Sequence, residues 1–423
     1  MNYVIIGNSA SGISAIEAIR ESDQKGAITV ISDEPYFNYS RPLISYLLGK
    51  KLDSRAMACR DQDFYKDNVV KLILNNKAAK LDLPQKTVIL SDRQKVHFNK
   101  LLIATGGAPI IPEIKGANLK NVFTFVKLAD AERIAGYIKA NKVKKAVVIG
   151  AGLIGLKATE ALTALKVKVT IVELADRLLS ATFDQKASGI IERALGKIGC
   201  QLITNNTVEE IKSGKVKAVI LRNKKRIPCD LVITAIGVRP NITLAKEAAI
   251  KTNRGIVVDN FMQTSARDVY AAGDCCEAKD TLADVKRPIA IWPVAARQGK
   301  VAGYNMAGIR EEYQGGLAMN AVELCGIATI SMGESCPEGK DCQVLEYFAQ
   351  DKPVYKKIVL KNGKIIGAIF VGDIERAGIY TGLIKDKVDV TSFKEQLLQE
   401  DFGLICLPGE YRQHLVTGEA VII

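Results

Sequence analysis

Histidine is almost missing from this chain of 423 residues: His97 and His414 are the only two. A metal site built from several imidazoles is therefore excluded by count. Nine cysteines are present. None forms a CxxC pair and none lies near a histidine at ligand spacing, so no metal site is expected. Their odd number and scattered positions suit free thiols in a reducing compartment, which predicts a cytoplasmic protein. No uncharged apolar run reaches about 18 residues, so no membrane-crossing helix is expected. The chain opens at Met1-Asn2 and runs directly into an apolar strand, without the basic and apolar regions of a secretory signal.

Negative charge is short as well. Lys and Arg number 59 against 46 Asp and Glu, a net charge of +13. A surplus of this size biases the chain toward anionic partners and says nothing about fold. Hydrophobic residues at 48% and charged residues at 25% are ordinary for a globular chain. The length suggests about three domains.

What is present is a repeat. Residues 3–20 read YVIIGNSASGISAIEAIR and residues 146–162 read AVVIGAGLIGLKATEAL. Each is a short apolar strand, a small-residue turn and a helix-period stretch. Laid with Gly7 on Gly150, 7 of 17 positions are identical. The glycines have separate physical tasks. The first permits a tight turn out of the strand, the second admits a pyrophosphate close to the backbone, and the third lets the helix pack on the sheet. The helix N-terminus then presents unpaired N–H groups to phosphate. Gly150, Gly152 and Gly155 complete the pattern. The first copy keeps Gly7 and Gly12 but has Ser9 in the middle, followed by Ala10. A serine is small there, and its hydroxyl can donate to a phosphate oxygen.

Each copy needs an acid about 20 residues further on to hold the adenosine ribose. The second supplies Glu173, 18 residues after Gly155. A carboxylate there accepts from a 2′-hydroxyl and repels a 2′-phosphate, which favours NADH over NADPH; Arg177 keeps NADPH from being excluded. The first copy supplies Asp33 and Glu34, with Glu34, 22 residues after Gly12, narrowly preferred.

With these units the sequence resembles the pyridine nucleotide–disulfide oxidoreductase class, flavoproteins that bind two dinucleotides. Residues 101–109, LLIATGGAP, resemble the first crossover between nucleotide domains and contribute Ala104, Thr105 and Gly106. Residues 231–241, LVITAIGVRPN, resemble its counterpart and contribute Gly237. Residues 264–274, TSARDVYAAGD, resemble the second FAD fingerprint with Gly273 and Asp274. Residues 35–45, PYFNYSRPLIS, and 291–303, IWPVAARQGKVAG, are similar to segments of the NADH:rubredoxin oxidoreductase and nitrite-reductase-like group. In that group Arg41 and Pro42 would lie along FAD. Trp292, Pro293 and Gln298 would border the flavin at a helix N-terminus, whose dipole stabilises negative charge on the reduced ring.

The resemblance implies an α/β fold with two Rossmann-like nucleotide-binding domains, the FAD domain interrupted by the NAD domain, plus a smaller C-terminal α+β domain. The expected boundaries are 1–110 and 238–315 for FAD, 111–237 for NAD and 316–423 for the last domain, which carries a hairpin turn at Asn362-Gly363. FAD and NADH are the implied cofactors.

The class divides by what takes the electrons. Disulfide reductases carry a dithiol against the flavin, and related oxidases carry one reactive cysteine shortly before residue 50 or so. Here residues 32–51 contain no cysteine. Cys59 is nearest, and Cys275-Cys276 follow Asp274. Without a thiol relay, electrons must leave the flavin directly. The acceptor implied is a small acidic iron protein, a rubredoxin or ferredoxin, which a basic surface would steer inward. Two other readings stay open. One is an NADH oxidase or disulfide reductase using Cys59 or Cys275-Cys276. The other is a non-catalytic flavoprotein that senses NADH and binds a partner. A homodimer suits each, with no sequence evidence for it. No nucleic acid is expected, because no recognised nucleic-acid fold or Arg-rich run appears.

Many electron-transfer relatives pair a Lys after the Arg-Pro-x-x-Ser segment with a Glu two residues after the third NAD glycine. Those positions hold Tyr46 and Lys157 here. Lys157 is therefore the candidate for a charge near nicotinamide or flavin; the alternative is a lysine pointing to solvent.

Overall fold

The computed structural model describes residues 1–214, 217–283, 285–337, 341–349 and 351–409; His414 and part of the 335–341 loop lie outside them. Contacts group the chain into two compact units. One comprises Met1–Leu174 with Asn206–Gly316, the other Ala175–Asn205 with the described residues from Leu317 onward. Residues 175–205 thus group with the C-terminal segment rather than with the rest of the expected NAD segment.

The first unit holds two parallel sheets. In one, Asn2–Ile6 lies between Ala27–Ile31 and Lys100–Ile103, with Val70–Ile73 and Val269–Ala271 at the edges. In the other, Lys145–Ile149 lies between Lys168–Val172 and Leu231–Thr234, with Val122–Thr124 beyond. The central strands are apolar runs because helices and loops cover both faces of such sheets; Val4, Ile5, Val147 and Val148 are at most 1% exposed. Each parallel sheet is accompanied by an antiparallel three-stranded sheet: Ala78–Asp82, Thr87–Leu90 and Lys95–His97, and Val208–Lys212, Ala218–Leu221 and Arg226–Pro228. Their short alternating strands and turn residues are what the sequence carries there.

The crossovers form one small ribbon. Gly107–Pro109 pairs antiparallel with Val238–Pro240. Thr105 Oγ1 donates to the Asn241 carbonyl, and Asn241 Nδ2 donates to the Thr105 carbonyl, both at 2.8 Å.

In the second unit five antiparallel strands run in the order Met319–Leu324, Ile327–Gly333, Lys364–Val371, Tyr355–Lys361 and Gln343–Phe348. Helix Ala377–Lys385 packs on the Lys364–Val371 strand. Asn362 and Gly363 both adopt positive φ at the tight turn, as the Asn-Gly pair requires. Helix Gln185–Lys197 belongs to this unit. Its N-cap Asp184 is bonded by the Tyr355 hydroxyl at 2.6 Å and paired with Lys357 at 3.0 Å. Among the described residues no helix is long and apolar enough to cross a membrane.

Candidate functional site: two dinucleotide loops

Both glycine turns follow a central strand and open a helix, Ala10–Ser22 and Leu153–Ala164. The middle residue of each motif, Ser9 or Gly152, is the helix N-cap. Neither makes a side-chain capping bond, and neither helix has an acid in its first turn. The first N–H groups therefore stay available to an anion.

The outer glycines answer to the protein itself. Gly7 and Gly150 have φ of 126° and 103°, a region L side chains rarely enter. A Cβ on Gly7 would stand 2.0 Å from the Ala104 carbonyl oxygen, and one on Gly12 2.1 Å from the Gly7 oxygen. In the second copy the corresponding distances are 2.5 Å to the Ala235 oxygen and 2.0 Å to the Gly150 oxygen. Gly152 differs: a Cβ there meets nothing within 4 Å. The middle position faces open space, which explains how Ser9 is accommodated and fits a phosphate cradle.

The acids fall differently in the two copies. Gly7 N–H bonds to the Ile31 carbonyl and Gly150 N–H to the Val172 carbonyl. Asn76 N–H bonds to the Ser32 carbonyl and Asn206 N–H to the Glu173 carbonyl. These matched bonds make Ser32, not an acid, the counterpart of Glu173. Glu173 Oε2 accepts the Ala151 N–H at 2.6 Å, so its carboxylate sits against the loop. Glu34 is buried, accepting from the Tyr39 hydroxyl at 2.7 Å and pairing with Arg41 at 2.5 Å. Asp33 is half exposed and pairs with Lys127 at 2.8 Å. Counting from glycine missed Ser32 because the first copy takes 25 residues from Gly7 to Ser32, against 23 from Gly150 to Glu173. A signal was available: LILNN at 72–76 and LITNN at 202–206 mark the same register.

Segments distant in sequence converge on the first loop. Helix Trp292–Met306 packs against helix Ala10–Ser22 at Gly299 and Gly303, where a Cβ would lie 2.1 Å from the Ser11 oxygen and 2.7 Å from the Ala15 oxygen. Ser11 Oγ donates to the Ala295 carbonyl at 2.8 Å. The N-terminus of helix Trp292–Met306 carries half-buried Trp292 and exposed Pro293, so Trp292 is not a core aromatic. Gln298 is buried beneath the second fingerprint. Its Oε1 accepts the Gly273 N–H at 2.9 Å and the Cys276 thiol at 3.2 Å, and its Nε2 donates to the Tyr313 hydroxyl at 3.3 Å. Gln298 thus shapes the Gly273-Asp274 turn from within the protein. Burial pushes the Asp274 carboxyl above the usual carboxylate range, with Arg41 pulling the other way. Pro42 is exposed beside Arg41 at the start of a short helical turn.

The thiols are quiet. Cys275 Sγ donates to the Ala272 and Ile103 carbonyls. Burial raises both the Cys275 and Cys276 thiols, Cys276 well above the usual range. Cys59 is pushed up to about 11 by burial, against the pull of Arg60. A protonated thiol is a poor nucleophile.

Lys157 and Tyr46 meet. The Lys157 ammonium lies 4.7 Å from the Tyr46 ring centroid and pairs with Glu160 one turn along its helix. The Lys157 side chain is only 17% exposed, so it does not point to solvent.

Residues 1–299 match the pyridine nucleotide-disulphide oxidoreductase family. The chain belongs to that family. It is an FAD-dependent NAD(P)H oxidoreductase, with FAD and NADH as cofactors. Residues 319–388 of this flavoprotein match the rubredoxin NAD+ reductase C-terminal domain. It is 33% identical to the NADH-dependent phenylglyoxylate dehydrogenase subunit epsilon of Aromatoleum evansii, covering 94% of each chain. It is 32% identical to the nitrite reductase (NAD(P)H) of Bacillus subtilis (strain 168), over 92% of this chain but 48% of that one. The flavoprotein therefore spans about half the length of that reductase. The solved NAD-dependent persulfide reductase from A. fulgidus superposes with a TM-score of 0.86 at 29% identity, covering 95% of this chain and 79% of that one.

Proposed function

We propose that this flavoprotein oxidises NADH and passes the electrons directly to a small acidic iron protein of the rubredoxin or ferredoxin kind. The observation that carries this is the state of the thiols. Residues 32–51 hold no cysteine, and Cys59, Cys275 and Cys276 are all held toward the thiol form by burial. The match of residues 319–388 supports the same acceptor class.

In this reading the first loop, Gly7 to Gly12, holds the FAD pyrophosphate, with Ser9 as a hydroxyl donor. Asp33 takes the adenosine ribose, since Glu34 is already spent on Tyr39 and Arg41. Asp274 lies toward the ribityl chain, and Gln298 positions it through Gly273. The second loop receives NADH, with Glu173 on the 2′-hydroxyl. Arg177, which would have favoured a 2′-phosphate, is committed to the Phe183 and Ser180 carbonyls and to Asp176. FAD, when bound, supplies the conversion of a two-electron hydride donor into a one-electron source. The protein's task is alignment of the two ligands, so no side chain is assigned as acid or base. Residues 1–110 and 238–315 form the FAD part, 111–237 the NAD part, and 316–423 the remaining domain.

The test is stopped-flow mixing of NADH-reduced enzyme with rubredoxin or ferredoxin across ionic strength. Flavin oxidation should be fast and should slow as salt rises. Transfer rates indifferent to salt contradict electrostatic docking, and no transfer to either protein contradicts the acceptor class.

A further inference from the structure

Positive charge gathers at a place away from the dinucleotide loops. A lysine plate caps the opposite end of the second parallel sheet. Lys145 and Lys168 open neighbouring strands and are direct register partners. Lys144 adjoins them, its carbonyl accepting the Lys168 N–H at 2.9 Å. Lys139 and Lys142 close helix Leu128–Asn141, and Lys166 follows helix Leu153–Ala164. All six are exposed. None has a carboxylate within ion-pair distance among the described residues. The Asp230 carboxylate spends one oxygen on the backbone N–H groups of Lys144 and Lys145.

Part of this charge has a local reason. Lys139, Lys142 and Lys166 sit at helix C-termini, where cations complement the dipole. Lys144, Lys145 and Lys168 have no such reason, and like charges facing each other on adjacent strands are destabilising. The fold alone does not call for them.

The strands run from these lysines to the glycine turn, so the plate lies about 17 Å from the dinucleotide loop, five residues at roughly 3.3 Å each. A redox protein docked on the plate would sit away from the flavin. We propose that the lysine plate is a second docking surface, for a carboxylate-rich protein face, which holds a partner without passing electrons to it. Six exposed lysines complement a carboxylate-rich face, and the plate offers no exposed aromatic ring for base stacking, which weighs against a single-stranded nucleic acid.

The test uses the FAD-loaded full chain and poly-L-glutamate as probe, read by salt-dependent retention, with double-stranded DNA in parallel. The variant K144E/K145E/K168E spares the helix-end lysines, and K144Q/K145Q/K168Q serves if charge reversal prevents folding. The control K71E/K77E/K95E removes the same charge at other exposed positions. Poly-glutamate affinity should fall about ten-fold or more in the plate variants and little in the control, while NADH–ferricyanide turnover stays at the parent rate. Equal losses in plate variant and control would mean that only net charge matters. Retention of DNA above poly-glutamate would make the plate a nucleic-acid surface. A lowered Tm with unchanged retention would give Lys144, Lys145 and Lys168 a structural role only. Each of these outcomes overturns the proposal.

Discussion

The two dinucleotide loops share a backbone and differ where a ligand would touch them. Gly7 and Gly150, and Gly12 and Gly155, occupy places where a Cβ would meet a carbonyl oxygen at 2.0–2.5 Å. The middle residue and the downstream acid are free to vary, and they do: Ser9 against Gly152, Ser32 against Glu173. The invariant half of the motif therefore reports the protein's own packing, and the variable half reports the ligand. A carboxylate against the loop belongs to the copy read as the NADH site. The copy read as the FAD site has a hydroxyl there and its acids one and two residues later.

The largest effect should come from confusing the two halves. Gly155→Ala forces a Cβ against the Gly150 oxygen and should cost about 3 kcal/mol or prevent folding. Gly152→Ala should leave stability within about 0.5 kcal/mol yet weaken NADH binding about ten-fold, a loss near 1.4 kcal/mol. Denaturant titration and NADH titration read the two quantities separately. Equal destabilisation by both substitutions would break the comparison.

Next in size is the acid. Glu173→Ala should raise the NADH Kd by roughly ten-fold or more, as for loss of a charged hydrogen bond, and leave NADPH binding nearly unchanged. A parallel loss for both nucleotides would place Glu173 in the frame rather than on the ribose.

The meeting of Tyr46 and Lys157 gives a smaller, kinetic test. Lys157→Glu places like charges at 157 and 160, and flavin reduction by NADH should slow several-fold, by about 1 kcal/mol in the barrier. An unchanged rate would remove Lys157 from the site.

The smallest effect lies away from both loops. Hydrogen bonds from Lys100 and then Lys86 hold the Asp268 carboxyl down to about 2. A depressed pKa adds stability above the unfolded value, near 3.8, that is lost as pH falls toward 2. Asp268→Asn should therefore cost about 1 kcal/mol at neutral pH, and its stability curve should approach the parent's as pH falls through the folded value of about 2. A gap that does not shrink over that fall would assign the cost to something other than the charge.

Much of this was legible in the sequence because the glycines are imposed by backbone contact and leave a fixed spacing. The crossovers were legible through their resemblance to family segments, with Gly106 and Gly237 at positive φ, and Asn362-Gly363 announces its turn through its φ requirement. The acid register was not, because the strand–helix–strand connection is two residues longer in the first copy and spacing from glycine slides with it. The position of Gln298 under the Gly273 turn was not legible either, since three hydrogen bonds across the chain decide it. The grouping of residues 175–205 with the C-terminal segment includes the meeting of Asp184 with Tyr355 and Lys357, which no local pattern carries.

The central claim is that electrons leave the flavin without a protein thiol. Its most direct test is the single-turnover rate at which NADH-reduced enzyme reduces rubredoxin, compared between the parent and the variant C59S/C275S/C276S. The two rates should agree within a factor of about two, less than 0.5 kcal/mol in the barrier. A collapse of the rate in the variant, with FAD still bound and still reduced by NADH, would contradict direct transfer and make the enzyme a thiol-relay reductase.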